Sequence, residues 1–294
     1  MATPHTSADT KSILAHLGIK PERRLGQNFL VDQSVRDRII QLAAIQPHDL
    51  VLEVGPGLGA LTEALARHAT RVVAVEKDRT LANYLTEAFA QTHNVEIVWA
   101  DIRRIDIEKA LGMSRRTALQ GGAPRSWIVV ANPPYYLAPF LIRTLLGEPN
   151  PPRQITLVVQ HEIADRITSG TGEMNLLALA AQLVSRVTKH DRISRRAFWP
   201  QPAVDSTIIT LVPLAAASRL IKPNDEAAFF FLMRPLFRGK RKQILGSLAR
   251  SLKKSPESIH ALLEQIGINP KARPEDISVD KWARLFRILE AHRI

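Results

Sequence analysis

Asn132-Pro133-Pro134-Tyr135 carries residue types suited to one demanding reaction. The amino nitrogen of an adenine ring is a poor nucleophile, because its lone pair is delocalised into the ring. Two acceptors bonded to its two hydrogens favour a tetrahedral nitrogen with that lone pair free. The Asn132 side-chain oxygen and the Pro133 carbonyl supply two such acceptors. Proline stiffens the backbone that carries the carbonyl, so the acceptor is held in place beforehand. Tyr135 offers a ring on which a base can stack. The plainer reading of these four residues is an Asx-Pro turn beside a buried tyrosine.

A second segment suits a nucleoside. Glu53-Val54-Gly55-Pro56-Gly57-Leu58-Gly59 lies between a branched apolar run, Leu50–Val54, and a helical pattern over 60–68. Glycines there let the backbone approach a ligand closely. Glu76, at the end of the next apolar run, can accept from both hydroxyls of a ribose. This arrangement places a nucleotide at the carboxyl ends of the strands. Gly55, Gly57 and Ala60 satisfy a dinucleotide fingerprint, which keeps an NAD-dependent oxidoreductase open. Gly59 adds the Gly-x-Gly-x-Gly spacing associated with S-adenosylmethionine, and the amine-activating loop favours that cofactor. Asp101, after the third strand, is placed to accept from an adenine amino group; otherwise it caps a turn.

The elements that must hold these groups alternate. Short apolar runs at 50–54, 71–75, 95–100, 127–131 and 155–160 read as strands, with closing strands at 187–193 and 206–212. Helical patterns fall between them, including 32–44 with Asp32 as N-cap. Strands alternating with helices predict a parallel sheet covered on both faces. Beyond Pro213 the pattern turns helical, over 226–236, 242–252, 256–266 and 279–292. The expected division is a flexible segment over 1–22, an α/β domain over 23–215 and a helical domain over 216–294. The stretch 112–126 reads as an arginine-bearing surface insertion.

The chain has 294 residues, 45% hydrophobic and 23% charged, which is ordinary for a globular protein. No run reaches the ~18–20 apolar residues of a membrane span. The polar first ten residues lack a secretory signal, so a disordered start and a cytoplasmic location are expected. With no cysteine, thiolate chemistry and Cys-ligated metals are excluded. His161 and Glu162 are adjacent rather than at metal-ligand spacing, and no metal is expected. Forty Lys and Arg against 28 Asp and Glu give a net charge of +12. Residues 221–294 hold 15 of the basic and 8 of the acidic residues, so +7 of the +12 lies there. Such asymmetry points to one surface meeting an anionic partner, and nucleic acid fits it.

With these residues in this order, the chain resembles the small-subunit ribosomal RNA adenine dimethyltransferase family (the KsgA type) from about residue 23 onward. The stretches that carry the resemblance are Leu25-Gly26-Gln27-Asn28-Phe29-Leu30, residues 53–62 with Glu76, Asn132-Pro133-Pro134-Tyr135, Phe198-Trp199-Pro200-Gln201-Pro202-Ala203-Val204-Asp205-Ser206, and Gly239-Lys240-Arg241-Lys242 followed by Gly267-Ile268 and Arg273-Pro274-Glu275. The resemblance implies a Rossmann-like S-adenosylmethionine methyltransferase domain and a small all-helical C-terminal domain. It implies transfer of two methyls to each of two adjacent adenines near the 3′ end of small-subunit (16S) rRNA, within the assembling 30S subunit. Asn28, Leu30, Gly55, Gly57, Glu76, Asp101 and Asn132 match cofactor-binding positions. Asn132, Pro133, Pro134 and Tyr135 match the catalytic loop, and Phe198 matches an aromatic that sandwiches the target base opposite Tyr135. Arg238, Lys240, Arg241 and Lys242 are assigned to RNA phosphates, and a monomer is the default.

Three departures stand out. Pro133 replaces the usual Leu or Ile, the Tyr-Gly-Arg-Leu run expected around 170–177 reads Glu173-Met174-Asn175-Leu176, and the 112–126 insertion is longer than usual. Two rivals share the fold: an Erm-type enzyme of large-subunit rRNA, and an RNA-binding assembly factor without the reaction.

Overall fold

The computed structural model describes the chain except for residues 1–2, 5, 22–25, 114–125, 223–224, 240–241 and 292–294, and the side chain of 216. Among the described residues nine strands form: β1 (Phe29–Leu30), β2 (Leu50–Val54), β3 (Arg71–Glu76), β4 (Val95–Trp99), β5 (Trp127–Ala131), β6 (Gln154–Gln160), β7 (Ser185–Ile193), β8 (Phe198–Trp199) and β9 (Ser206–Pro213). Seven of them make one sheet in the order β4-β3-β2-β5-β6-β9-β7. From β4 to β6 the neighbours pair in parallel. All five residues of β2 and of β5 are buried. A strand covered on both faces needs a continuous apolar run rather than alternation, and Leu50–Val54 and Trp127–Ala131 are such runs.

The sheet is not wholly parallel. β9 pairs antiparallel with β6, from Ile155 opposite Leu211 to Gln160 opposite Ser206. The proline-rich stretch 198–203 begins with β8, which pairs antiparallel with β1 through Leu30 opposite Phe198.

Two compact units divide the chain: Met1–Ala164 with Thr188–Val212, and Asp165–Val187 with Pro213–Ile294. The first holds the site. Its core joins Ile39, Val51, Leu65, Val72, Ile128, Val158 and Phe198. The expected flexible start is corrected here, since Ser7–His16 is a helix whose N-cap Thr6 accepts from the Asp9 N–H. Leu14 is 1% exposed and packs with Phe29, Leu58, Leu81, Leu85 and Phe89, which anchors this helix in the second apolar cluster of the unit.

The second unit is helical, with Leu176–Gln182, Glu226–Phe237, Ile244–Leu252, Pro256–Gln265 and Val279–Ala291. Phe229 meets Phe286 edge to face at 5.3 Å. The sequence places the division at 215/216, yet Asp165–Val187 belongs to this later unit. The N–H groups of Gly172 and Met174 donate to the Glu275 carbonyl at 2.8 and 3.1 Å, which ties that segment to residues far along the chain.

Acids are buried in the first unit as well. Glu53 is 1% exposed and accepts from the Thr62 hydroxyl at 2.7 Å. Burial pushes its carboxyl up from 4.5 to about 8, against the lowering effect of Thr62 and with help from the Glu76 charge. The folded chain therefore holds a proton that the unfolded chain releases near 4.5. Stability falls as pH rises between 4.5 and about 8. Glu53→Gln is expected to flatten that slope, read from urea unfolding across the same window; an unchanged slope would place the titration elsewhere.

Candidate active site

The carboxyl ends of β2, β3 and β5 open into one cleft. Its walls come from Gly26–Leu30, the turn after β2, Glu76–Asp78, Ala100–Ile102 and the loop after β5. Asn28, Leu30, Gly55, Gly57, Glu76, Asp101 and Asn132 all line it, so every position matched to cofactor binding converges there.

The glycine turn is shaped by contact as well as conformation. Gly57 has φ +62°, and a Cβ on it would sit 3.0 Å from a ring carbon of Phe29. Its N–H donates to Glu76 Oε2 at 3.2 Å, and the Asp78 N–H donates to Oε1 at 2.8 Å. Gly59 serves a different end. Its φ is +86°, and a Cβ would meet Phe89 at 2.8 Å, so it lets the following helix pack closely.

Glu76 is 7% exposed. Burial raises its pKa, and the N–H groups of Asp78, Gly57 and Lys77 oppose that shift. A buried carboxylate facing a cleft, held by backbone donors, is suited to accept hydroxyl hydrogens. This fits a ribose, and with the apolar walls of Phe29, Val54, Ile102 and Leu137 it fits a nucleoside-bearing methyl donor. Asp101 both lines the cleft and caps a short 3₁₀ turn, accepting from the Arg103 N–H at 3.1 Å. Arg103 grips its carboxylate at 2.5 Å and Lys77 stands at 3.4 Å. Arg103 above all holds the Asp101 carboxyl well below the usual carboxylate range.

The residues of the loop after β5 divide. The Asn132 amide nitrogen donates to the Asn28 carbonyl at 3.3 Å, which leaves Oδ1 as the acceptor for a ligand. Asn28 is itself held by its own amide, which donates to Gly26 O at 3.1 Å. Pro134 lines the cleft, whereas Pro133 is buried and, like Tyr135, is outside its lining. The Tyr135 hydroxyl lies 2.6 Å from that of Ser206 in β9, which tethers the ring. Tyr136, half exposed, lines the cleft. Sequence reasoning missed Tyr136, whose only signal is its place beside Tyr135, and missed Pro4, which also lines the cleft.

Phe198 is a correction. It is 1% exposed and belongs to the core with Leu30, Ile39 and Ile208, rather than standing open to a base. Its place opposite Leu30 in the β1–β8 ribbon points it into that core. Of the basic cluster, Arg238 and Lys242 are exposed, while Lys240 and Arg241 lie outside the described residues, as does most of the 112–126 insertion. Among the described residues, no group of three or more His, Asp or Glu is placed to hold a metal ion.

Comparison with known proteins bears directly on this cleft. Residues 18–291 match the ribosomal RNA adenine dimethylase family. The chain belongs to that family. It is 36% identical over 284 residues to the ribosomal RNA small subunit methyltransferase A of Dehalococcoides mccartyi, covering 96% of this chain and 93% of that protein. It is 35% identical over 299 residues to the protein of that name from Bacillus mycoides, covering 100% and 99%. Among solved structures, the 23S rRNA methyltransferase ErmE aligns with a TM-score of 0.69 at 28% identity, over 90% of this chain and 100% of that one. A dimethyladenosine transferase from Plasmodium falciparum aligns at 0.74 and 22% identity, over 90% and 98%, which supports the fold.

This member of the dimethylase family is thus an rRNA adenine dimethyltransferase of Rossmann-like fold. Its methyl donor is S-adenosylmethionine, not a nicotinamide dinucleotide. Glu76→Ala is expected to weaken binding of that donor by about 1.5–3 kcal/mol, the worth of a charge-assisted hydrogen bond. Calorimetry showing unchanged affinity would remove Glu76 from the site. Phe198→Ala should lower unfolding stability by about 3–5 kcal/mol. A variant as stable as the parent but inactive would return Phe198 to the base-binding role.

Proposed function

We propose that this enzyme dimethylates two adjacent adenines near the 3′ end of small-subunit (16S) rRNA, acting in the cytoplasm as a monomer on the assembling 30S subunit. The names of its full-length relatives support the small-subunit target. The observation that carries the chemistry is the Asn132 amide, turned by its bond to the Asn28 carbonyl so that Oδ1 is left to accept. When bound, S-adenosylmethionine supplies an electrophilic methyl group on a sulfonium. The chain supplies position. Asn132 Oδ1 and the Pro133 carbonyl are the two acceptors for the amine hydrogens, and the loop prolines restrict their movement. Tyr135, tethered to Ser206, provides the ring for the extruded base. Orientation of this kind lowers the barrier without a strong general base.

Asn132→Ala is expected to reduce kcat far more than affinity for the methyl donor. Equal losses in both would make Asn132 a binding residue only. The target is tested with small ribosomal subunits from cells lacking the modification, incubated with enzyme and S-adenosylmethionine, then digested for nucleoside mass spectrometry. Dimethyladenosine in the 3′ fragment of the small-subunit rRNA is expected. No product there, with product in the same assay run on large-subunit rRNA, would instead favour the reading suggested by the likeness to ErmE.

A further inference from the structure

Phe231 is 85% exposed, more than any other large apolar side chain among the described residues. It stands on the helix Glu226–Phe237 of the second unit, whose inner face buries Phe229, Met233 and Leu236. The outer face presents Ala227, Ala228, Phe231, Arg234, Pro235 and, at the helix end, Arg238, all exposed. Helical spacing puts Arg234 one turn and Arg238 two turns beyond Phe231, the latter about 10 Å along the axis. Neither arginine has an ion-pair partner among the described residues. Glu226, the acid at the start of the helix, is turned inward to Arg219. The outer face therefore carries two cations in line with one aromatic ring, and among the described residues no acid pairs with them.

A lone exposed phenylalanine is ordinary on a protein surface. The two arginines in line with it, and alanines small enough to admit a close approach, define a more specific chemistry. The complementary partner offers a flat apolar face between negative charges, which describes an unpaired base between its own phosphates. We infer that this face is a second RNA contact, in which Phe231 stacks on an unpaired base while Arg234 and Arg238 hold the flanking phosphates. The inference rests on the rRNA reading above and adds a base-stacking residue remote in sequence from the catalytic loop.

The test measures binding of the full chain to fluorescently labelled small ribosomal subunits lacking the modification, over a series of salt concentrations. Phe231→Ala is expected to weaken binding roughly tenfold or more at each salt concentration, the usual cost of losing a base stack. Its salt dependence should stay unchanged, and Phe231→Trp should restore affinity. Arg234→Gln with Arg238→Gln should lower the salt slope by about 1.4–1.8, as loss of two phosphate contacts requires. Melting temperature is a control, because an exposed side chain adds little to stability. Wild-type affinity in Phe231→Ala would overturn the stacking role, even while the parent enzyme still methylates the subunits. A parent enzyme that neither binds nor methylates them would overturn the rRNA reading itself. A change in sedimentation instead of RNA affinity would make the face a contact between copies of this chain, and would also overturn the inference.

Discussion

A carboxylate buried at the end of β3 organises the cleft. Glu76 accepts from Gly57 on the turn after β2 and from Asp78 at the start of its own following helix. Two loops from adjacent parallel strands are thereby held at one point. Burial leaves the charge of Glu76 under-solvated, which its raised pKa reports. Hydroxyl donors from a ligand relieve the same deficit. The group that fixes the cleft is thus also one suited to take hydroxyl donors from a ligand, which would link ligand binding and fold stability through it.

The loop after β5 depends on equally distant tethers. Asn132 is oriented by the carbonyl of Asn28, and Tyr135 by the hydroxyl of Ser206. The loop after β5 is therefore gripped from a segment before the first sheet strand and from the start of β9. A reaction whose reactive methyl arrives on a cofactor asks the protein chiefly for placement. Both tethers act on position rather than on acid–base chemistry.

Much of this was legible in the sequence where local pattern and burial agree. Leu50–Val54 and Trp127–Ala131 are continuous branched runs, and both are strands buried on both faces. Asp32 is the N-cap its spacing predicts, accepting from Ser34 and Val35. The residues that line the cleft are legible because glycines and acids at strand ends mark where loops converge. Features set by long-range contact were not. A two-residue ribbon such as β1–β8 has no periodicity to detect. The helix Ser7–His16 is mostly polar and depends on burial of Thr10 and Leu14. The segment 165–187 joins the later unit through backbone bonds to Glu275, whose partners no local pattern names. Phe198 fits a core and a base platform equally well by residue type, and its register opposite Leu30 decides for the core.

The order β6-β9-β7 has a consequence for synthesis of the chain. β7 precedes β9 in sequence but lies outside it in the sheet. A chain emerging from the ribosome therefore completes β7 before the strand that must separate it from β6 has been made. Until then the edge of β6 is open, and β7 is the first strand available to mispair with it. Asp205, immediately before β9, accepts from Arg192 in β7 and from the Arg195 N–H beyond it. That clamp joins the two strands at their connecting loop, so they can enter the sheet together as a preformed pair. Formation of the sheet edge then awaits a non-local step, as is general for folds rich in long-range pairing. The tether from Ser206 to Tyr135 comes with it, so the loop after β5 gains this hold only once β9 is in place.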